Sequence, residues 1–352
     1  MGRPRASAGL TKNVVNDLGL DATYALDPQP TGVAVYSRHL ITGLAQATPP
    51  PALYYRWHRY RQLPTVDGCR NGPRRLLVDC WAPDVRIFHG LNQRLPRRIR
   101  HRAIATFHDL FVLTAEYSEP SFRQRFAAFA RDAAERADAI IAVSRFTANQ
   151  VQELLRVEPA RITVIPHGVT AAKRSARRER LLLHVGAIQR RKNLVRLVEA
   201  FSALPPDWKL VLAGGAGYGA GEVFAAIAAS PRRADILTPG YLAPEQLEEY
   251  YDRASLVAFP SLGEGFGLPV LEAMARGIPV VTAARSATQE IAGSAAILVH
   301  PERTEELAEA LRSLALDPDR QARLVEAGLR RAAEYTWDRA VTATMALYRQ
   351  VQ

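Results

Sequence analysis

Short apolar runs alternate with amphipathic stretches along nearly the whole chain, the pattern of parallel sheets covered by helices. In the first half this predicts strands at Leu18–Thr23, Ala52–Trp57, Leu76–Cys80, Arg86–His89, Ala103–Phe107, Ala139–Val143 and Ile162–Ile165. Helices such as Val33–Leu44 and Pro120–Arg136 lie between them. Ala139–Val143 (AIIAV) has polar flanks and no polar residue inside, which is how a strand covered on both faces reads. Val169–Arg180 (VTAAKRSARRER) breaks the rhythm with charge, small residues and no apolar period, so it is expected to link two domains. The rhythm restarts at Leu181–Val185 and continues through Leu210–Ala213, Asp235–Leu237, Leu256–Phe259, Pro279–Val281 and Ala296–Val299. These six β-α units form a complete doubly wound domain. From Thr304 to Gln352 the pattern is helical only, with breaks at Asp317-Pro318 and near Thr336-Trp337.

A chain of 352 residues suffices for two such domains, each with its own core. The expected class is α/β, with two doubly wound sheets whose carboxyl ends face a shared cleft, where open α/β folds bind ligands. A hydrophobic content of 48% and a charged content of 23% fit a globular protein and exclude a disordered or fibrous one. No window approaches the roughly 18 apolar residues of a membrane-spanning helix. The start, MGRPRASAGLTKNVVNDLGLDA, has no apolar core of a secretory signal, and its first 16 or so residues read as an unpatterned extension. Cys69 and Cys80 have neither a second pair nor a neighbouring His cluster, which fits a reducing cytoplasm and excludes a disulfide scaffold or closed zinc site.

Charge changes the picture more. The 46 Lys and Arg against 35 Asp and Glu leave +11, concentrated in Arg94–Arg102 (RLPRRIRHR) and Lys173–Arg180 (KRSARRER). Such a surface attracts a polyanion, either a nucleic acid or an anionic membrane face. No nucleic-acid-reading motif accompanies it and aromatics make up only 8%, which leaves two readings, an Arg-rich composition with solvated faces or a peripheral contact with an anionic membrane, and no nucleic-acid partner is expected.

The most informative stretch is Phe259–Val281, FPSLGEGFGLPVLEAMARGIPVV. A strand runs into a loop bearing Gly263, Gly265 and Gly267, and a helix opens at Leu268–Pro269, where proline's missing N–H costs nothing. Glycines ahead of a helix N-terminus let a phosphate approach exposed N–H groups and the positive dipole end. Leu271, Met274 and Ala275 take the core side, while Glu264 in the loop and Glu272 one turn into the helix face the same end. A carboxylate beside a diphosphate is repelled by it, so its natural partners are sugar hydroxyls: one for the ribose, the other for the transferred hexose.

This stretch closely resembles the E-x7-E signature of glycosyltransferase family 4, and the resemblance runs from Gly19 to about Tyr348. It includes TPGYLAPEQLEEYYDRASLVAFPS before the motif and SATQEIAGSAAILVHPE after it. The resemblance implies the GT-B fold, two Rossmann-like domains facing a central cleft. It divides the chain into an acceptor-side domain (1–170), a linker (171–180), a nucleotide-sugar-binding domain (181–335) and a last helix (336–352) returning to the first domain. It also implies that Glu264 contacts the donor sugar, that Glu272 holds the ribose, and that Gly265, Phe266, Gly267 and Leu268 cradle the phosphates.

Other elements match the same family. HVGAIQRRKNLVRLVEAF, His184–Phe201, carries Gly186, Arg191, Lys192 and Asn193 of the GxxxxRKN element; its cations would neutralise a departing diphosphate without a metal, Lys192 foremost. Ala187 stands where many relatives carry a basic residue, which leaves open whether Arg190 or Arg191 compensates. IATFHDL places His108-Asp109 after a strand, and the resemblance puts His108 beside the reacting sugar, as a hydrogen-bond donor to a sugar hydroxyl or a support for the reaction face rather than a general base. Thr31 and Gly32, in the loop of LDPQPTGVAVYSRHL, are implied to face the donor phosphate and acceptor. Ser144 reads as a helix cap and His167 as structural. The one Asp-x-Asp, Asp317-Pro318-Asp319, lies at a helix break where capping explains it, so neither a metal nor another cofactor is expected.

The resemblance thus implies a retaining, metal-independent glycosyltransferase, expected in the cytoplasm; a lipid-linked acceptor would suit the basic patches, which could hold the enzyme reversibly at the inner membrane face. The motif style is closest to mannosyltransferases of cell-surface polysaccharide assembly. GDP-mannose is the first choice of donor, UDP-glucose or another UDP-sugar the second, and the acceptor a glycan or lipid-linked saccharide. The rivals are a sugar-nucleotide epimerase or phosphorylase of the same architecture, an inactive carbohydrate-binding scaffold and, from charge alone, a nucleic-acid-binding protein.

Overall fold

The computed structural model describes residues 18–45, 50–60, 73–78, 80–172, 175 and 178–352. The unpatterned amino-terminal stretch, Cys69 and several residues of the basic linker run lie outside the described residues; Cys80 is an exposed free thiol.

All 13 expected strands are present, in two wholly parallel sheets. The first contains β1 (Leu18–Asp21), β2 (Ala52–Arg56), β3 (Arg74–Leu77), β4 (Ile87–Gly90), β5 (Arg102–Phe107), β6 (Ala139–Ala142) and β7 (Ile162–Val164), in the order β3-β2-β1-β4-β5-β6-β7. The second contains β8 (Glu179–Val185), β9 (Lys209–Ala213), β10 (Ile236–Gly240), β11 (Ala254–Phe259), β12 (Val280–Ala283) and β13 (Ile297–Val299), in the order β10-β9-β8-β11-β12-β13. Both orders reverse direction beside the first strand, the switch point at which doubly wound sheets open a binding crevice. Each sheet carries an apolar cluster on each face, which is why β6 is buried along its whole length. Together these features make two Rossmann-like domains in the GT-B arrangement.

Two edge strands depart from the apolar pattern. β3 starts at Arg74 rather than Leu76, and its first two residues are exposed; pairing with β2 from Leu53↔Arg74 defines it, not burial. β10 runs through Thr238 and Pro239, which only an edge strand tolerates, because proline donates nothing to a neighbour.

The helix Gly32–Ala45 buries Ala34, Tyr36, Ser37, Leu40, Ile41 and Leu44, a stripe at helical spacing. Against it lies the helix Trp337–Val351, which sends Ala340, Leu347 and Tyr348 into the core of the first sheet. The chain therefore passes between the domains twice, and the two passages touch. Val169 N–H donates to the Tyr335 carbonyl at 3.0 Å, and a Cβ on Gly168 would fall 2.1 Å from the Trp337 nitrogen.

Candidate active site

The site grows from two loops of the second domain that are stitched to each other. After β8 the chain turns at Gly186, whose φ of +142° suits glycine, and a Cβ there would crowd the Lys192 side chain at 3.3 Å. A short 3-10 turn, Arg190–Lys192, ends at Asn193 with φ +59°. That strain is held by the Asn193 amide, which donates to the carbonyls of Pro260 (3.0 Å) and Pro301 (2.6 Å). Leu262 N–H donates to the Arg191 carbonyl at 2.9 Å, closing the RKN loop onto the glycine loop.

These contacts bring the expected charges together. Lys192 Nζ lies 2.7 Å from Glu264 Oε1 and Arg191 Nη1 lies 2.8 Å from Glu264 Oε2. Arg191 also donates to the Gly263 carbonyl at 2.6 Å. Glu264 is only 7% exposed. Burial pushes its carboxyl up, but Arg191 and then Lys192 outweigh burial and hold it down at about 2. Lys192 shifts downward because burial exceeds the help from Glu264, whereas Glu264 and Asp109 raise Arg191 against its burial. Arg190 turns away to pair with Glu222 on the outer surface, so the second cation is Arg191.

Glu272 is placed apart from this cluster. It accepts from Tyr251 OH at 2.7 Å and lines a separate cavity of about 430 Å³ with Val35, His39, Leu268 and Trp337. Burial raises its carboxyl, and the Tyr251 hydrogen bond works against that rise. The helix Leu268–Ala275 starts after Gly267, with Leu271 and Met274 fully buried beneath it. Pro269 has no N–H to leave unpaired, and Val270 N–H turns back to the Gly267 carbonyl at 3.0 Å. A Cβ on Gly32 would sit 3.7 Å from Leu268 Cδ1, so the starts of one helix from each domain meet in the cleft.

The first domain closes over the loop. A Cβ on Gly265 would fall 1.7 Å from the His108 carbonyl oxygen, which only glycine permits. Phe266 packs edge-on against His167, centroids 4.7 Å apart, and His167 stacks on His108 at 5.3 Å. His108 Nε2 donates to the Leu91 carbonyl at 2.9 Å; a carbonyl only accepts, so that nitrogen carries the proton. Burial pulls the ring down to about 4, so it is neutral with a lone pair on Nδ1. With Nε2 committed to Leu91, the one ring nitrogen left for a ligand is Nδ1, an acceptor. Ser144 caps its helix, as expected, by accepting from Thr147 N–H at 3.0 Å. Asp317 caps its own helix through Arg320 N–H at 2.8 Å.

Three participants escape motif reading. Asp109 raises Arg191 electrostatically from across the cleft, and burial raises its own carboxyl. Ser286 Oγ accepts from Glu264 N–H at 3.0 Å. Glu290 accepts from the backbone N–H groups of Arg145 and Phe146. Asp109 sits in the HDL element and Ser286 and Glu290 in the SATQEIAG stretch, but neither stretch tells what these side chains contact.

The basic runs divide. Arg178 donates to the carbonyls of Tyr251 (2.7 Å), Ala254 (3.0 Å) and Arg276 (2.6 Å), so part of the linker run is structural. The other run borders a cavity of about 720 Å³ lined by Trp81, Arg97, Arg98, Arg100, His101 and Arg136 on the outside of the first domain. Among the described residues no helix is long and apolar enough to cross a membrane.

Two family profiles match consecutive parts of the chain: Glycosyltransferase Family 4 over residues 30–173 and Glycosyl transferases group 1 over residues 170–331. The O-antigen chain mannosyltransferase B of Escherichia coli is 29% identical over 283 residues, covering 75% of this chain and 74% of that protein. The D-inositol 3-phosphate glycosyltransferase of Actinosynnema mirum is 32% identical over 266 residues, and the match spans 68% of this chain but only 63% of that relative. Among solved structures, sucrose-phosphate synthase from Thermosynechococcus elongatus superposes with a TM-score of 0.76 over 95% of this chain and 98% of its own, at 21% identity. With both domains matched in sequence and the two sheets facing one cleft, the chain belongs to glycosyltransferase family 4 and has the GT-B fold.

Proposed function

We propose that this protein is a retaining, metal-independent hexosyltransferase that takes mannose from GDP-mannose and passes it to a glycan or lipid-linked acceptor in cell-surface polysaccharide synthesis. The observation that carries the reading is the buried Glu264–Lys192–Arg191 cluster beside two helix N-termini. The diphosphate lies on Lys192, Arg191 and the Gly265–Leu268 backbone, whose charges grow in value as the leaving group becomes more negative. Glu264, kept ionised by its cations, accepts from hydroxyls of the donor sugar, and Glu272 holds the ribose. The acceptor oxygen bonds the anomeric carbon on the face from which the nucleotide departs, and its proton passes to the departing phosphate oxygen. No second general base is required. Mannose rests on the mannosyltransferase relative, and metal independence on the Asp-x-Asp that serves as a helix cap.

The test is a donor panel. Thermal-shift binding of GDP, UDP and ADP identifies the base, and NMR of the product gives the anomer. Glu264→Ala is expected to lower transfer about 10²–10³-fold. Transfer at the wild-type rate by Glu264→Ala and Lys192→Ala would remove the site assignment. A rate abolished by EDTA would remove metal independence, and turnover without an acceptor alcohol would favour an epimerase.

The acceptor-side domain carries the feature that suits a lipid-borne acceptor. Phe122, Phe126 and Phe129 form a row along the helix Pro120–Arg136, and Arg94 sits over Phe129 at 4.3 Å. Trp81 is 78% exposed beside the arginine cavity. Aromatic edges with interleaved arginines fit an anionic headgroup layer at the cytoplasmic membrane face. Co-sedimentation with vesicles containing anionic phospholipid, lost at high salt and absent with phosphatidylcholine alone, is the expected result.

A further inference from the structure

Glu264 is gripped at its backbone as well as its carboxylate. The helix Ser286–Ala292 holds it from one side: Ser286 Oγ accepts from Glu264 N–H at 3.0 Å, and Ala287 N–H donates to the Glu264 carbonyl at 3.1 Å. Ser286 does so at a φ of +63°, a left-handed conformation that is strained for a residue with a Cβ. Strain of this kind persists only where neighbours over-determine it, and it clusters at functional positions.

The same helix reaches the other domain one turn later. Glu290 Oε1 accepts from Arg145 N–H at 3.0 Å and Oε2 from Phe146 N–H at 3.1 Å. These are the first two N–H groups of the first-domain helix Arg145–Leu155, donors with no acceptor inside their own helix. A carboxylate suits both the hydrogen bonds and the dipole there. The cap of that helix is spent on the second domain too, since Ser144 Oγ and Thr147 Oγ1 donate to the Gly265 carbonyl at 2.7 and 3.1 Å. At the far end, Arg331 donates to the carbonyls of Glu290 (2.8 Å) and Ile291 (2.9 Å), which fixes the Ser286–Ala292 helix to its own domain.

We infer that the Ser286–Ala292 helix couples cleft closure to the placement of Glu264, with Glu290 as the positioning residue that senses the first domain and Ser286 as the one that holds the site loop. Glu290 reaches its two N–H groups only when the domains are apposed as the Gly265–His108 contact has them. When they part, the helix loses its first-domain tie and the Glu264 peptide loses a rigid support. The inference rests on the reading of Glu264 as the donor-sugar contact, but its residues touch neither donor nor acceptor.

The experiment pairs transfer kinetics with small-angle X-ray scattering of the full chain in excess nucleoside diphosphate. Glu290→Ala is expected to raise the radius of gyration and lower kcat about tenfold or more, with donor KM changed less than threefold. Glu290→Gln keeps one strong acceptor oxygen and falls between. Ser286→Ala is expected to lower kcat while leaving the scattering curve unchanged, because it cuts the coupling and not the latch. Unchanged scattering in Glu290→Ala overturns the latch, and an opened Glu290→Ala with normal kcat overturns the coupling. Full activity in Glu264→Ala defeats the functional reading instead, and the scattering still reports on the latch.

Discussion

At the scale of single residues, the site is an electrically balanced knot. Glu264 answers Arg191 and Lys192, and Asp109 faces Arg191 from the other domain. Removing one member of a buried ion pair strands a charge at about 3–5 kcal/mol, whereas removing both ends strands less. Glu264→Ala and Lys192→Ala are therefore each expected to lower stability in chemical denaturation. Their double variant should be more stable than the sum of the two losses predicts, and strict additivity would show that the pair is not coupled. Glu264, Lys192 and Arg191 were legible because each sits in a short run whose glycines and cations are adjacent in sequence. The His108 proton was not, because Leu91, which fixes it, lies 17 residues away and contributes a backbone carbonyl that every residue possesses. Glu290 was still less legible, since its partners are two backbone N–H groups 144 and 145 positions away.

At the scale of elements, the alternation of apolar runs located every strand; ends shifted by two residues even in the central strands β1, β8 and β11, and the edge strands β3 and β10 moved furthest, where burial no longer marks the ends. The glycine loop shows how an element is chosen by what lies against it. Gly265 meets a carbonyl oxygen of the first domain at a distance where no methyl fits. Gly265→Ala should accordingly fold, retain nucleotide binding by the second domain in calorimetry, and lose most transfer. Normal transfer by this variant would mean that the apposition of His108 and Gly265 is dispensable. The Ser286–Ala292 helix carries the opposite lesson. Its sequence, SATQEIA, belongs to the stretch that carries the family resemblance but does not disclose the contacts made at both ends.

At the scale of the whole molecule, the helix Trp337–Val351 is bound to the first sheet by a buried polar relay. Tyr348 OH lies 2.6 Å from His89 Nδ1, His89 Nε2 2.8 Å from Thr106 Oγ1, and that oxygen 3.0 Å from Tyr36 OH. Tyr348→Phe leaves the imidazole short of a partner and should cost about 1–3 kcal/mol in denaturant unfolding. Buried imidazoles also set the acid response. Burial, with the nearby His108, lowers His89 to about 3; burial lowers His108 and His184 to about 4, all from 6.5. The folded state refuses protons that the unfolded chain binds, so stability is full above pH 6.5 and declines as pH falls toward 4. The contribution of Glu264 is lost separately, between its ordinary 4.5 and about 2. A falling Tm from pH 7.5 to 5.5, with net proton uptake on unfolding by calorimetry, is expected; a flat Tm there would contradict it.

That returning helix also has a consequence in time. The first sheet is complete at Val164, yet the helix that covers one of its faces begins at Trp337, about 170 residues later. At a synthesis rate of ~5–20 residues per second, the apolar groove beside Gly32–Ala45 stays uncovered for roughly 9–35 s while the second domain emerges. Emergence of the Trp337–Val351 helix, rather than completion of either sheet, is therefore the moment at which the first domain acquires its final stability. A chain halted before residue 337 should be held by chaperones or degraded.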